Sequence, residues 1–376
     1  MNNNHNNKTE APLTAIRRTS NETSAELISN YSTKAVTCQP TEAMELVTKF
    51  APKRTDGEKL SQSYARLGET RKAERCSDCG TWLQFSHSVD SNGAIDPHGR
   101  LVYANFCRDR LCPLCSWRRT LKIFSQVSKI MTVIEQDYEF LFLTLTVPNC
   151  TPEELPHTIT KLMKGFDRLM KRKRIKTAVR GFFRALEVTR NSKNDTYHPH
   201  FHVILAVGKK YFKGTDYIPQ AEWLQTWRDC YGDQSITQVD VRRARGKDGT
   251  GDLGSAVSEI AKYSVKSGDY IKSDEAQTDR IVAVLAGALR NRRLTQYGGI
   301  FKDVAKALKL DDPEDGDLIH VNDELHPAVA QLVFTYKWSV GCYKIERREL
   351  VSLDASHIVE DAPEGSIVYL DLDKPI

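Results

Sequence analysis

The segment His198-Pro199-His200-Phe201-His202-Val203-Ile204-Leu205-Ala206-Val207 ends in an apolar, β-branched run that only a buried strand accommodates well. Side chains alternate along a strand, so His200 and His202 emerge on one face while Phe201 turns into the core. Two imidazoles on one face form a metal pair. His198 has the same parity, but Pro199 cannot donate to a ladder and favours a strand end, which predicts His198 just outside the sheet. Just upstream, residues 182–190 read as a second strand, and Asn191-Ser192-Lys193-Asn194-Asp195 between the two is a turn-forming cluster. The economical reading is an antiparallel hairpin turning near Lys193 or Asn194, which brings Glu187 opposite His200 or His202. A site of two histidines and one carboxylate results, with His198 competing as third ligand. With open positions it accepts Mg²⁺ or Mn²⁺ and can polarise a phosphate oxygen, although imidazole also suits Zn²⁺ or Ni²⁺.

Outward from the hairpin, residues 138–147 (YEFLFLTLTV) give another strand, stopped by Pro148. Helical spacing of apolar residues predicts a lead-in helix over 117–134 and a second helix over 159–170 whose opposite face carries Lys161, Lys164, Arg168 and Lys171. A helix at 220–230, a strand at 236–243 and a helix at 253–267 complete a β-α-β-β-α-β-α order. Antiparallel neighbours with helices on one face make an α+β sandwich spanning residues 117–275. Residues 1–60 are polar and expected to be largely disordered. Residues 276–376, with a helix at 279–291, the basic Arg290-Asn291-Arg292-Arg293 run and a strand-like VFTYKW, form a C-terminal accessory region and tail.

The composition is that of a soluble protein: 376 residues, 40% hydrophobic, no apolar stretch long enough to span a membrane, and no apolar core of a secretory signal near Met1. A cytoplasmic location is expected. Fifty-four Lys and Arg against 49 Asp and Glu leave only +5 overall. The distribution is more telling, because eleven basic residues stand against Asp167 and Glu187 between Thr158 and Arg190, a field that attracts phosphates. Five of nine cysteines fall between Cys76 and Cys115. Cys76-Ser77-Asp78-Cys79 and Cys112-Pro113-Leu114-Cys115 are two C-x-x-C knuckles with Cys107 between them, a spacing that predicts a structural Zn²⁺ held by four of the five in a ribbon over residues 61–116. His87 and His98 lie in the gap as alternative ligands. Arg108, Arg110, Arg118 and Arg119 make the module a candidate for contact with DNA.

In residues 257–266, helical spacing sets Glu259, Lys262, Tyr263 and Lys266 on the face opposite Val257, Ile260 and Ala261. Alone this is a solvated helix face. Beside a metal strand and a basic helix it supplies a hydroxyl nucleophile for phosphodiester cleavage. A phenol with a pKa near 10 needs a base or a positive field to act.

In that order, FLTLTVPN (142–149), HPHFHVIL (198–205) and EIAKYSVK (259–266) resemble the three motifs of rolling-circle replication initiators of small plasmids from Gram-positive bacteria, which are HUH endonucleases. NFCRDRLCPLCSWRR (105–119) and LRNRRLTQYGGIFK (289–302) resemble the flanks of those motifs in the same family, so the likeness runs over about residues 74–302. The resemblance implies an antiparallel-sheet HUH domain in which Tyr263 becomes linked to a 5′-phosphate and Glu259 activates water to end the cycle. It implies a catalytic Mn²⁺ or Mg²⁺ on His200 and His202, with Glu187 or His198 as third ligand, and Lys262 and Lys266 holding the DNA backbone. Implied partners are plasmid origin DNA, single-stranded at the nick, a host helicase and polymerase, a second copy of the chain as a homodimer, and no membrane. An HUH transposase or relaxase, or a non-cutting zinc-ribbon DNA-binding regulator, are the competing readings.

Overall fold

The computed structural model describes residues 47–371 apart from 91, 97, 245–256, 258–264, 322–329 and 353–367. Its elements are, in chain order, α1 (Ala51–Arg66), α2 (Thr70–Asp78), β1 (Trp82–Val89), β2 (Arg100–Ala104), α3 (Pro113–Ile134), β3 (Tyr138–Leu145), α4 (Leu155–Lys171), α5 (Lys173–Ala178), β4 (Val179–Asn191), β5 (Thr196–Gly208), α6 (Gln220–Tyr231), β6 (Val239–Arg243), α7 (Ser267–Tyr270), α8 (Glu275–Leu289), β7 (Thr295–Gly299), α9 (Ile300–Ala307), β8 (Ala330–Ser339), β9 (Cys342–Ser352) and β10 (Val368–Asp371). They build two five-stranded sheets, ordered β10-β9-β8-β1-β2 and β6-β3-β5-β4-β7.

The expected hairpin forms the middle of the second sheet. β4 and β5 pair antiparallel with Glu187 opposite His200, and Asp195 in the turn takes a left-handed φ of 49°. β3 pairs with β5 from Leu145↔Phe201 onward. Pro199 is tolerated in this central strand for a geometric reason. Tyr197 exchanges both backbone hydrogen bonds with Cys150 on the β3 side, so the missing N–H of Pro199 points the same way, into the gap between Leu145 and Cys150. His198 therefore does not lie outside the sheet. It is a β5 residue paired with Thr189.

Helices cover both faces of this sheet rather than one. Phe201, Val203, Leu205, Leu141 and Leu143 pack under Ile159, Leu162 and Phe166 of α4, with α6 and α8 behind them. On the other face Phe140, Phe142, Phe183, Ile204 and Ala206 pack under Ile123, Val127 and Ile130 of α3 and Phe301 and Val304 of α9. Parity makes this second face the histidine face, so the basic helix α4 lies across the sheet from His200 and His202. Its Phe166 ring stands 5.5 Å from Phe201, its Lys161 caps the Tyr231 ring at 4.2 Å, and its Arg168 donates to the Cys230 carbonyl at 2.6 Å.

β7 joins the sheet edge at β4 through Gly298 and Gly299. A Cβ on Gly299, where φ is +54°, would lie 2.2 Å from the Arg180 carbonyl oxygen, so only glycine permits that approach.

Described residues from both flanks of the α+β region join folded elements. Leu60 and Tyr64 of α1 are buried together with Val47 and Phe50, so folded structure begins well before residue 60. β8, from the supposed accessory tail, pairs with β1 along its whole length, Trp82↔Lys337 to Val89↔Ala330. The cysteine module thus shares its sheet with the C-terminal chain. Of the helix expected at 253–267, Glu259, Lys262 and Tyr263 lie outside the described residues; Val257 is helical, Val265 and Lys266 are not, and a new short helix starts at Ser267.

Candidate active site

Glu187, His200 and His202 each bring one ligand atom within 4.8 Å of the others. The Glu187 Oε2 lies 2.9 Å from His202 Nε2 and 3.3 Å from His200 Nε2. The far sides of both rings are anchored. His200 Nδ1–H donates to its neighbour's carbonyl, His198 O, at 3.1 Å, and His202 Nδ1 stands 3.4 Å from the Thr144 hydroxyl. Anchored Nδ1 atoms leave both Nε2 atoms aimed at the carboxylate, the arrangement in which imidazoles ligate a metal. All three residues are buried at 7–8% exposure. Burial alone would raise the Glu187 pKa, but the hydrogen bonds and charge of His200 and His202 outweigh it and hold the carboxylate below its ordinary range. An ionised carboxylate beside two imidazole nitrogens suits a divalent cation. His198 is not in this group. Its ring stacks on His200 at 5.2 Å.

Lys266 Nζ approaches the outer oxygen Glu187 Oε1 at 3.9 Å, and Lys266 itself is 54% exposed. Among the described residues, that side of the cluster carries an exposed positive charge. Val257, at the other end of the segment that contains Glu259 and Tyr263, is buried in the apolar layer of the histidine face. Tyr270, the nearest described tyrosine in sequence, points elsewhere: its hydroxyl donates to Leu111 O, and complete burial pushes its pKa well up.

The cysteine cluster is closed. Cys79, Cys107, Cys112 and Cys115 are buried with their sulfurs all within 4.8 Å. Cys76 lies 3.8 Å from Cys107 but outside that mutual group. The first knuckle thus contributes Cys79, and Cys107 takes the fourth place. Backbone N–H groups of Cys107, Arg108 and Asp109 point at the sulfurs of Cys79, Cys115 and Cys107 at 3.2–3.4 Å, and Arg108 adopts φ 61° to do so. Hydrogen bonds from Cys112, Cys115 and the other thiols pull the Cys107 pKa down. Such donors stabilise thiolates and fit a tetrahedral cation. Neither gap histidine takes part: His87 is buried in β1 with Nδ1 at the Asp96 carbonyl, and His98 is exposed.

Of the arginines beside the cluster, Arg118 is spent on the carbonyls of Leu318 and Ile319, and burial lowers its pKa to about 10. Arg119 is spent on the carbonyls of Glu314, Asp109 and Arg108. Glu314, Leu318 and Ile319 lie in a strap, residues 310–321, whose role had no local signal in the sequence. Its Glu314 accepts from the Thr295 N–H and hydroxyl at 2.7 and 2.9 Å.

The described residues of this α+β chain thus carry a thiol cluster and a carboxylate-imidazole cluster, each of which could hold a metal ion. Comparison with known proteins narrows the reading. A family model described as "Replication protein" matches residues 98–345. Proteins named "Protein rep" are similar: one from a Bacillus species is 39% identical over 292 residues, covering 73% of this chain and 92% of the relative. One from Bacillus amyloliquefaciens is 42% identical over 270 residues (68% and 78%), and one from Streptococcus pneumoniae serotype 2 is 39% identical over 272 (71% and 81%). No solved structure matches. The chain belongs to the replication-protein family, the rolling-circle plasmid replication initiators. Among the described residues no helix is long and apolar enough to cross a membrane.

Proposed function

We propose that this replication initiator is an HUH endonuclease that nicks one strand of plasmid origin DNA. The Tyr263 oxygen bonds to the scissile phosphorus as the P–O3′ bond breaks. The products are a 5′-phosphotyrosine and a 3′-OH for a host polymerase to extend, behind a host helicase. Glu187, His200 and His202 hold Mn²⁺ or Mg²⁺, which when bound supplies Lewis acidity toward a phosphate oxygen. Lys266 adds positive charge beside Glu187, and Lys262 holds the DNA backbone. Glu259 takes a proton from the water that hydrolyses the phosphotyrosine and ends the cycle. Cys79, Cys107, Cys112 and Cys115 hold a structural Zn²⁺.

The observation that carries this reading is the contact of Lys266 with Glu187. Lys266 follows Tyr263 by three residues in the sequence, and its contact with Glu187 supports a nucleophile from this segment. The test is supercoiled origin plasmid with Mn²⁺: the wild type is expected to yield open circles, and Tyr263→Phe none. A wild type that binds the plasmid and leaves it supercoiled is instead a non-cutting regulator.

A further inference from the structure

Beside the metal-type cluster, on the same face of the sheet, a cleft of about 60 Å³ is lined by Arg108 and Arg110 from the cysteine module, by Ser116, Arg119 and Thr120 of α3, and by Ala185 and Thr295 of β4 and β7. Ala185 is the register partner of His202 and shares the face of Glu187. Two strand residues separate the cleft from the cluster, about 6.6 Å. That is the order of the step between neighbouring phosphates in an extended strand.

Arg119 has no nitrogen to spare, but Arg108 and Arg110 each spend only one, on Asp315 O at 2.9 Å and on the Glu314 carboxylate at 3.2 Å. Three guanidinium groups face two carboxylates, Glu314 and Asp315, and Glu314 is also engaged by Thr295, so the cleft keeps a positive surplus. The arginines are also held in place. The Arg108 N–H is fixed on the Cys115 sulfur, and the Arg108 and Asp109 carbonyls are clamped by Arg119. The Asp109 carboxylate accepts from the Leu111 N–H and the Tyr64 hydroxyl. A guanidinium held this way loses little freedom on binding.

We propose that Arg108 and Arg110 form a clamp for a DNA backbone phosphate next to the scissile one, which makes the thiol cluster the scaffold that delivers this clamp to the histidine face. The inference rests on the nicking reading for its choice of ligand, and its test does not depend on cleavage. The probe is a fluorescein-labelled dT20 oligonucleotide, bound to the full chain and read by anisotropy over a salt series. Losing one phosphate contact makes the slope of log K against log salt shallower by about 0.7 for single-stranded DNA. Arg108→Ala and Arg110→Ala should each show that change and weaker binding at low salt, and Arg108→Lys, which keeps the charge, should restore the slope. Arg108 is exposed and makes one hydrogen bond, so its variants keep the wild-type melting temperature; Arg110→Ala is compared only at temperatures where it is folded. Unchanged slope and affinity in both alanine variants, or a wild type that does not bind dT20, overturns the clamp. A wild type that binds dT20 with the arginine-dependent slope yet leaves supercoiled plasmid intact removes the nicking reading and keeps the clamp.

Discussion

The thiol cluster and the carboxylate-imidazole cluster sit in adjoining parts of one molecule and are built on opposite plans. Around the thiols, four sulfurs face one another and backbone N–H groups point inward, so every position near the centre is taken by protein. Around Glu187, three candidate ligands come from one hairpin, and among the described residues an exposed lysine stands on the remaining side. A full soft donor set fixes structure, and a partial hard one leaves room for a substrate oxygen. The difference also shows in what each cluster is tied to. The thiols organise a loop of arginines, whereas the histidines are held by a carbonyl and the Thr144 hydroxyl on the strands beside them.

The largest effect should come from the closed cluster. Cys107→Ser removes one of the four mutually close sulfurs and should abolish zinc retention after mild chelation and unfold the cysteine module, because metal binding and folding are one equilibrium in small thiolate sites, worth on the order of 10 kcal/mol. Cys76→Ser should keep about one zinc per chain by elemental analysis. If the two serine variants behave alike, the partition of the five cysteines drawn here is wrong.

At the open cluster, stability should barely change while chemistry disappears. Mild EDTA should empty it and leave the thiolate zinc in place, and added Mn²⁺ should restore plasmid nicking. His202→Ala should not be restored, since Glu187 and His200 alone leave too few ligands to hold the ion. Nicking that survives both treatments would make the two clusters alike.

A subtler separation concerns the end of the reaction. Glu259→Ala should leave the first cut intact and slow hydrolytic release, so covalent protein–DNA product accumulates on denaturing gels. If Glu259 only pairs with a neighbouring lysine on a helix, worth about 0.5 kcal/mol or less, release will match the wild type.

The smallest expected change is at Thr144. Thr144→Val keeps the shape and removes the hydroxyl 3.4 Å from His202 Nδ1. Mn²⁺ affinity, measured by titration calorimetry, should fall about tenfold and return in Thr144→Ser. An unchanged affinity would show that β3 packs His202 without orienting it.

The hairpin and the pairing of Glu187 with the histidines were legible because their signals are local: period-two alternation, a polar turn, and a spacing that sets the register. His198 was misplaced because Pro199 was read as ending the strand; its tolerance depends on where β3 stops, which the hairpin sequence does not contain. The pairing of β1 with β8 joins opposite ends of the chain, and the strap over Arg118 and Arg119 is equally non-local. Neither leaves a local trace. The basic stripe of α4 was correctly helical, yet helical period reveals only which side of a helix is apolar, not which side of the sheet it covers. Cys107 in place of Cys76 follows from three-dimensional closeness that knuckle spacing cannot rank.

Tyr263 is the proposed nucleophile that joins the cut strand. The direct measurement is peptide mapping by mass spectrometry of the covalent product formed with origin DNA and Mn²⁺. The account requires the nucleotide mass on the peptide containing Tyr263 and no adduct from Tyr263→Phe. An adduct on any other tyrosine, or one that persists in Tyr263→Phe, would contradict it.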